Sequence, residues 1–376
     1  MEMKKTLLVA ALSGAIAGSL MFAMPLYLDK QGYDLSEIGW IFGIATFVSG
    51  ILGVGIGALS DRFGRRPLIS LYNLMAGIGA FIVVGITNIY GFIIGKAIRD
   101  YSATQLWGAY VSRIGDITEN RKRGESIGKF ALVYGSVFSI MFFATGWILD
   151  SYGFTVLFSI VIVLSIVAAA LTFIFREAGK RTNKTEFSLG MLKTRNGIVN
   201  SLVSFCTGSA DGLIYAYFIY IFLINEFSFT ISGVGALITG VFILWALSSY
   251  FAGKTVDRFG IKKTAVTGAL VVASTWIMQA FFWSELWIFV FLLAVENIFW
   301  GFYGTSATKL SSIIPKKENL GRDVAVFTYA HITGVMFGVT IAGMLAEISY
   351  MYLFIANAIV MASTALLVSY GIKLKE

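Results

Sequence analysis

Six ionisable side chains interrupt otherwise apolar runs: Lys96, Arg99 and Asp100 in "GKAIRDYSATQLWGAY", Asp211 in "GSADGLIYAY", Glu296 in "AVENIFWGFY", and the single histidine, His331. On a helix Lys96 and Asp100 stand four residues apart, and Arg99, Ala103 and Trp107 continue the same face. Two readings follow: a local ion-pair cluster that neutralises itself, or a site for substrate or a coupling ion. Glu296 has no basic residue within a turn of itself and shares its face with Trp300 and Tyr303. A carboxyl group inside an apolar segment suits binding and release of a proton, or holding a cation. The competing reading for Glu296 and Asp211 is a hydrogen-bonded acid, or one paired with an intramembrane base such as Arg99. His331 can shuttle protons in the physiological range, or serve as a hydrogen-bond donor between packed helices.

The elements that must position these groups are membrane helices. The chain has 376 residues, of which 57% are hydrophobic and 13% charged, and its mean hydropathy is +0.80. That composition excludes an ordinary soluble domain. Windows of roughly 20 apolar residues, enough to cross the hydrocarbon core, recur along the whole length. We read twelve helices, near 6–28, 36–60, 67–87, 89–113, 126–149, 153–175, 198–224, 231–252, 263–283, 286–312, 323–346 and 349–371. The basic start and first apolar run could pass for a signal peptide, but the run continues to Leu28 and has a counterpart in the second half, so a retained first helix is expected. Counting along the tenth helix at ~1.5 Å per residue places Glu296 about 15 Å from its outer end, near mid-membrane.

The formal net charge of +8 would suggest nucleic acid in a soluble protein. Its placement suggests topology instead. If the N-terminus is cytoplasmic and the helices alternate, 26 of the 29 basic residues fall on the cytoplasmic side, Lys30 lies opposite, and Lys96 and Arg99 lie inside a helix. The positive-inside rule then puts both termini in the cytoplasm of a cell-membrane protein, with no nucleic-acid partner. Lys129, near the start of the fifth helix, is expected to snorkel to that surface. Cys206 is a lone cysteine in an apolar helix, read as a packing residue, and it excludes an intramolecular disulfide framework.

The chain also repeats itself. "GALSDRFGRRP" at 57–67 aligns with "GKTVDRFGIKK" at 253–263, an offset of 196 residues that also pairs Ser13 with Ser209, Gly39 with Gly235, Asp100 with Glu296 and Gly108 with Gly304. An offset of 197 pairs Gly124 with Gly321, Phe130 with Phe327, Gly146 with Gly343 and Asp150 with Glu347. The expected organisation is an N-terminal six-helix bundle at 1–176, a cytoplasmic linker at 177–197 and a C-terminal six-helix bundle at 198–376. Both halves start on the same side of the membrane, which makes the repeat parallel.

The stretch after the second helix resembles the signature of the major facilitator superfamily: Gly57, Asp61, Arg62, Gly64, Arg65 and Arg66. The second copy keeps Gly253, Asp257, Arg258 and Gly260, with Ile261 where the first has Arg65. "GDITENRKRGESIG" at 115–128 resembles the family's segment between helices 4 and 5, and Arg99 stands where a helix 4 arginine is common. The resemblance implies an all-α fold of twelve transmembrane helices in two pseudo-symmetric bundles around a cavity lined mainly by helices 1, 4, 7 and 10. It implies that the repeated motif latches a cytoplasmic gate, with Asp61, Arg65 and Asp116 as a charge network and a dipole supplied by helix 11 from near Arg322. The helix 5 antiporter signature of the family is poorly matched, since "MFFATGWILD" keeps Gly146 but the helix has no proline.

The sequence offers no phosphate-binding Gly-rich loop with Lys-Ser/Thr and no clustered His/Cys ligands. No cofactor, metal or enzymatic activity is expected. The leading expectation is a monomeric secondary active transporter that moves a small solute by alternating access with protons as the coupling ion. A cavity with Trp107, Tyr110, Tyr215, Trp245, Trp300 and Tyr303 and few charges suits efflux of hydrophobic or cationic compounds. Transport of an organic anion or other metabolite held by Arg99 is the alternative, and a non-transporting receptor or sensor on the same scaffold is the alternative from another class.

Overall fold

In a computed structural model of the protein, the described residues are 2–53, 64–118, 123–176, 190–215, 217–315 and 320–373. The regular structure is helical: α1 (Glu2–Lys30), α2 (Leu35–Gly53), α3 (Arg65–Gly85), α4 (Ile89–Ile117), α5 (Arg123–Leu171), α6 (Arg195–Ile214), α7 (Phe218–Phe227), α8 (Ile231–Phe259), α9 (Ile261–Phe282), α10 (Leu286–Ile313), α11 (Leu320–Ile348) and α12 (Tyr350–Leu366). Ten helical segments among the described residues are long and apolar enough to cross a membrane. Large apolar side chains such as Trp287, Leu132 and Phe81 are mostly exposed, as expected where lipid is the solvent. α4 is absent from those ten because Lys96, Arg99 and Asp100 interrupt it. It is the helix whose charges most need protein around them.

The chain packs as two units. The first comprises residues 1–28, 44–185 and 229–239, and the second 29–43, 186–228 and 240–376. In the first, Val9, Leu68, Tyr101, Tyr110, Phe130 and Phe175 form a buried core, and α1 approaches α5 closely at Gly14 and Gly18, where an added Cβ would meet the α5 backbone. In the second, Val203, Ala265, Leu310, Val368 and Ile372 are buried together. There α6 and α11 approach through Gly208, Gly212, Gly334 and Gly338. With no hydrophobic force between helices in lipid, such small-residue contacts let dispersion and backbone packing hold the units together.

Most described helix ends lie within a few residues of the sequence reading; the expected end of the second helix falls outside the described residues, α8 runs on to Phe259, and two departures are larger. The fifth and sixth expected helices run on as one element, α5, across a non-helical Gly153 with φ 79°. The seventh is broken: α6 ends at Ile214, Tyr217 adopts φ −160°, ψ −32°, and α7 begins at Phe218. No proline lies at the break. One carbonyl at the break is met by a tyrosine: the Tyr220 hydroxyl donates to the Tyr215 carbonyl at 3.2 Å, while the Tyr217 hydroxyl donates outward to the Leu35 carbonyl of α2 at 3.1 Å. A side-chain donor of this kind helps to make a helix break tolerable at membrane depth.

Candidate functional site

In the first unit α4 presents its three charges as one cluster. Asp100 is bonded on one oxygen to Lys96 Nζ and on the other to Arg99 Nη1, the latter at 2.8 Å. Arg99 Nη2 also donates to the Ala17 carbonyl of α1 at 3.0 Å. The cluster carries a formal charge of +1, two bases against one acid, and Arg99 borders a small cavity with Ser13, Asn73, Ser102 and Tyr134. The Ser13 hydroxyl donates to Asn73 Oδ1 at 2.8 Å and lies 2.9 Å from the hydroxyl of the fully buried Tyr110. Trp107 is 44% exposed and packs its ring on Phe130 and Tyr134.

In the second unit Glu296, on α10, is fully buried. Its Oε2 accepts hydrogen bonds from the Tyr215 hydroxyl at 2.5 Å and from Asn297 Nδ2 at 2.6 Å, and Asn297 Nδ2 also reaches the Tyr215 oxygen at 2.6 Å. The helix break brings Tyr215 to this carboxyl. Glu296 Oε1 is buried with no hydrogen-bond partner among the described residues. Asp211 Oδ2 stands 3.4 Å from His331 Nε2 on α11, with both side chains about one-third exposed. Tyr303 is fully buried and its hydroxyl meets Thr207 Oγ1, while Trp300 packs on it at 5.8 Å. Trp245, 37% exposed, lies 6.2 Å from the Phe242 ring. Cys206 is half-buried in α6, and Lys129 is exposed near the start of α5.

The repeated glycine-aspartate-arginine motif is described in part. Gly57, Asp61 and Arg62 lie outside the described residues, as does the linker beyond 176 up to 189. Gly64 and Gly260, one repeat apart, cap α3 and α9 with φ 91° and 89°, a left-handed backbone that favours glycine. Arg65 Nε pairs with Asp116 Oδ2 at 3.2 Å, whereas in the second copy Asp257 pairs with Lys309 at 2.5 Å. Arg66 donates to the Phe175 carbonyl at 3.3 Å and its repeat partner Lys262 to the Ile372 carbonyl at 3.1 Å. Arg258 lies over the Phe259 ring at 5.3 Å, and Gly253 sits in α8 with open space beside its Cα.

Sequence reasoning counted Arg113 only as a topological charge. The side chain is in fact fully buried, bonded to Glu2 Oε2 at 3.1 Å, Thr6 Oγ1 at 3.1 Å and the Arg176 carbonyl at 3.0 Å. The available signal was the repeat, which aligns Arg113 with Lys309, also ion-paired. Asn297 and Asn73 were missed as well. Neither carries charge, and only the fold shows that each joins a buried polar network.

A helical membrane fold with charges gathered inside two related units defines a membrane transporter class, and comparison with known proteins agrees. The model of the Major Facilitator Superfamily matches residues 6–200 and 200–376, and the chain belongs to that family. It is 26% identical over 341 residues to an uncharacterised MFS-type transporter of Methanocaldococcus jannaschii, covering 86% of each chain. It is 24% identical over 281 residues to the quinolone resistance protein NorB of Staphylococcus aureus, covering 72% of this chain and 59% of NorB. Its fold superimposes on a crystal structure of a D-xylose-proton symporter with a TM-score of 0.82 at 15% identity, covering 99% and 98% of the two chains. The fold is thus the all-α, twelve-helix fold of that superfamily, and the protein is a multi-pass membrane transporter for small molecules.

Proposed function

We propose that this protein is a proton-coupled secondary transporter that exports hydrophobic or cationic compounds across the cell membrane by alternating access, acting as a monomer with both termini in the cytoplasm. The observation that carries the reading is Glu296: a fully buried carboxyl held by Tyr215 and Asn297, with a second oxygen that has no hydrogen-bond partner among the described residues. A carboxyl in such a position is a functional group by default, because burying it costs stability that a neutral residue would not. Tyr215 and Asn297 orient it, and Asp211 with His331 forms a second titratable pair in the same unit. Resistance to quinolones, in the name of NorB, supports export as the direction. The 26 basic residues that one alternating topology places on one side support the orientation. In this reading residues 1–176 and 198–376 are the two repeats that exchange access, and the motif residues Gly57 to Arg66, Asp116 and Gly253 to Gly260 latch the cytoplasmic side.

The test is flux of a lipophilic cationic dye in proteoliposomes with and without an imposed pH gradient. Gradient-driven accumulation by the wild type and its loss in Glu296→Gln are expected. Dye flux equal with and without the gradient would overturn proton coupling, and absence of flux for a dye that binds would favour a receptor. One observation favours a second substrate class: the Lys96–Arg99–Asp100 cluster sets two bases against one acid beside a small cavity in which Ser13, Asn73 and Ser102 interrupt mostly apolar walls. An organic anion is the solute that would complete it, and competition of an aromatic carboxylate with the dye, lost in Arg99→Gln, would support that reading.

A further inference from the structure

Near the loops at 29–35, 150–153, 228–230 and 349, two ties join elements of the first sequence repeat to elements of the second. In one, Asp150 of α5 accepts a hydrogen bond through Oδ2 from the Ser232 amide in the first turn of α8, at 2.8 Å. In the other, Glu347 of α11 accepts through Oε1 from the Ser36 amide in the first turn of α2, at 3.1 Å. The four residues are related by the repeat: Ser36 and Ser232 stand 196 apart, Asp150 and Glu347 197 apart. The neighbouring first-turn amides are capped locally, Glu37 by Asp34 Oδ1 at 2.7 Å and Gly233 by Thr230 Oγ1 at 3.0 Å. The amides of Ser36 and Ser232 instead receive their acceptor from the opposite repeat.

Glycines bring the backbones together below each cap. A Cβ on Gly146 would stand 2.7 Å from the Ile231 carbonyl oxygen, and one on Gly343 2.7 Å from the Ser36 Cα. One turn further in, a Cβ on Gly39 would stand 2.7 Å from the Val339 oxygen and one on Gly235 2.9 Å from the Phe142 carbonyl carbon. These glycines also form repeat pairs, Gly146 with Gly343 and Gly39 with Gly235. Side bonds reinforce each crossing: Thr239 Oγ1 donates to the Ser139 carbonyl at 2.9 Å, and the Tyr217 hydroxyl reaches the Leu35 carbonyl.

We infer that Asp150 and Glu347 are the paired catches of a second gate, at the end of the transporter opposite the glycine-aspartate-arginine motif. Alternating access requires ties between the repeats at one end to break when that end opens. A carboxylate on an uncapped helix amide suits the task. It is favoured by the helix dipole while made, and water can replace both partners when the crossing parts, so no buried polar group is stranded. The glycines make the made state depend on close approach, since any widening forfeits backbone contact along the whole crossing. The inference rests on the transporter reading for its role, and on the proposed topology for placing this end outside the cell.

The experiment uses the full-length protein with Cys206→Ser in lipid nanodiscs. Nitroxide pairs at Tyr152 and Phe229, and at Gln31 and Tyr352, report the two crossings by electron–electron distance. Asp150→Ala should add to the first pair a population longer by roughly 10 Å, the width of a helix, and Glu347→Ala should do the same to the second. The double variant should lengthen both, as should Gly146→Leu combined with Gly343→Leu, which acts through packing and leaves the carboxylates intact. Unchanged distance distributions in both double variants would overturn the gate. Labelling of a Gln31→Cys variant in intact cells by a membrane-impermeant maleimide tests the orientation separately: protection there removes the outside assignment and leaves the distance result standing.

Discussion

Asp100 and Glu296 occupy the same position in the two repeats and meet opposite surroundings. Asp100 on α4 is gripped by Lys96 and Arg99 from its own helix. Glu296 on α10 is fully buried against a tyrosine and an asparagine. The duplication preserved an acid at this depth and let its partners diverge. In the first unit the acid neutralises bases that the membrane would otherwise penalise, so its role is tied to the fold. In the second the acid accepts from neutral donors, Tyr215 and Asn297, and it is this difference on which its proposed part in the transport cycle rests. Arg113 and Lys309, at one repeat position, differ in the same way: Arg113 pairs with Glu2 and Lys309 with Asp257.

The contrast can be broken most severely at Asp100. Asp100→Ala leaves two cations inside the first unit without their acid, and should cost about 3–5 kcal/mol, read as a lowered thermal midpoint in detergent and loss of the folded fraction. Glu296→Gln should behave oppositely, keeping the Tyr215 contact and stability to within about 1 kcal/mol while pH-gradient-driven dye flux disappears. If Glu296→Gln unfolds the protein as Asp100→Ala does, the two acids share a structural role and the comparison collapses. Tyr215→Phe removes one hydrogen bond to Glu296 Oε2 and leaves that of Asn297. A loss of about 1 kcal/mol is expected, with flux retained and its pH profile displaced. The smallest effect belongs to His331→Gln. Its contact with Asp211 is long and partly exposed, so its removal should change stability by about 0.5 kcal/mol or less, and a larger loss would mark this pair as a second structural clamp.

Much of the charged architecture was legible because charge is rare in this chain. The Lys96–Asp100 pairing followed from helical spacing, and the Arg65–Asp116 contact matches what the family resemblance implied. Arg113 was legible in principle but hidden among topological charges, since burial of a residue near a helix end depends on what packs over it. The His331–Asp211 contact had no sequence signal, because 120 residues separate the two and neither belongs to a motif. The catches at Asp150 and Glu347 lay between these cases: the repeat pairs the acids with each other, but their partners on α8 and α2 appear only in the folded chain.

The sequence by itself determined the membrane class, the apolar spans, the duplication and the family, because each is written in local hydropathy or in residue spacing that needs no folded partner. The tertiary structure decided where α6 gives way to α7, since no glycine or proline at 215–217 forces the break, the Tyr220 hydroxyl meets the Tyr215 carbonyl there, and Tyr217 is anchored to the Leu35 carbonyl of α2. It also decided which acid is gripped by bases and which accepts hydrogen bonds from a tyrosine and an asparagine, because the free energy of a buried charge is set by the groups that surround it in space.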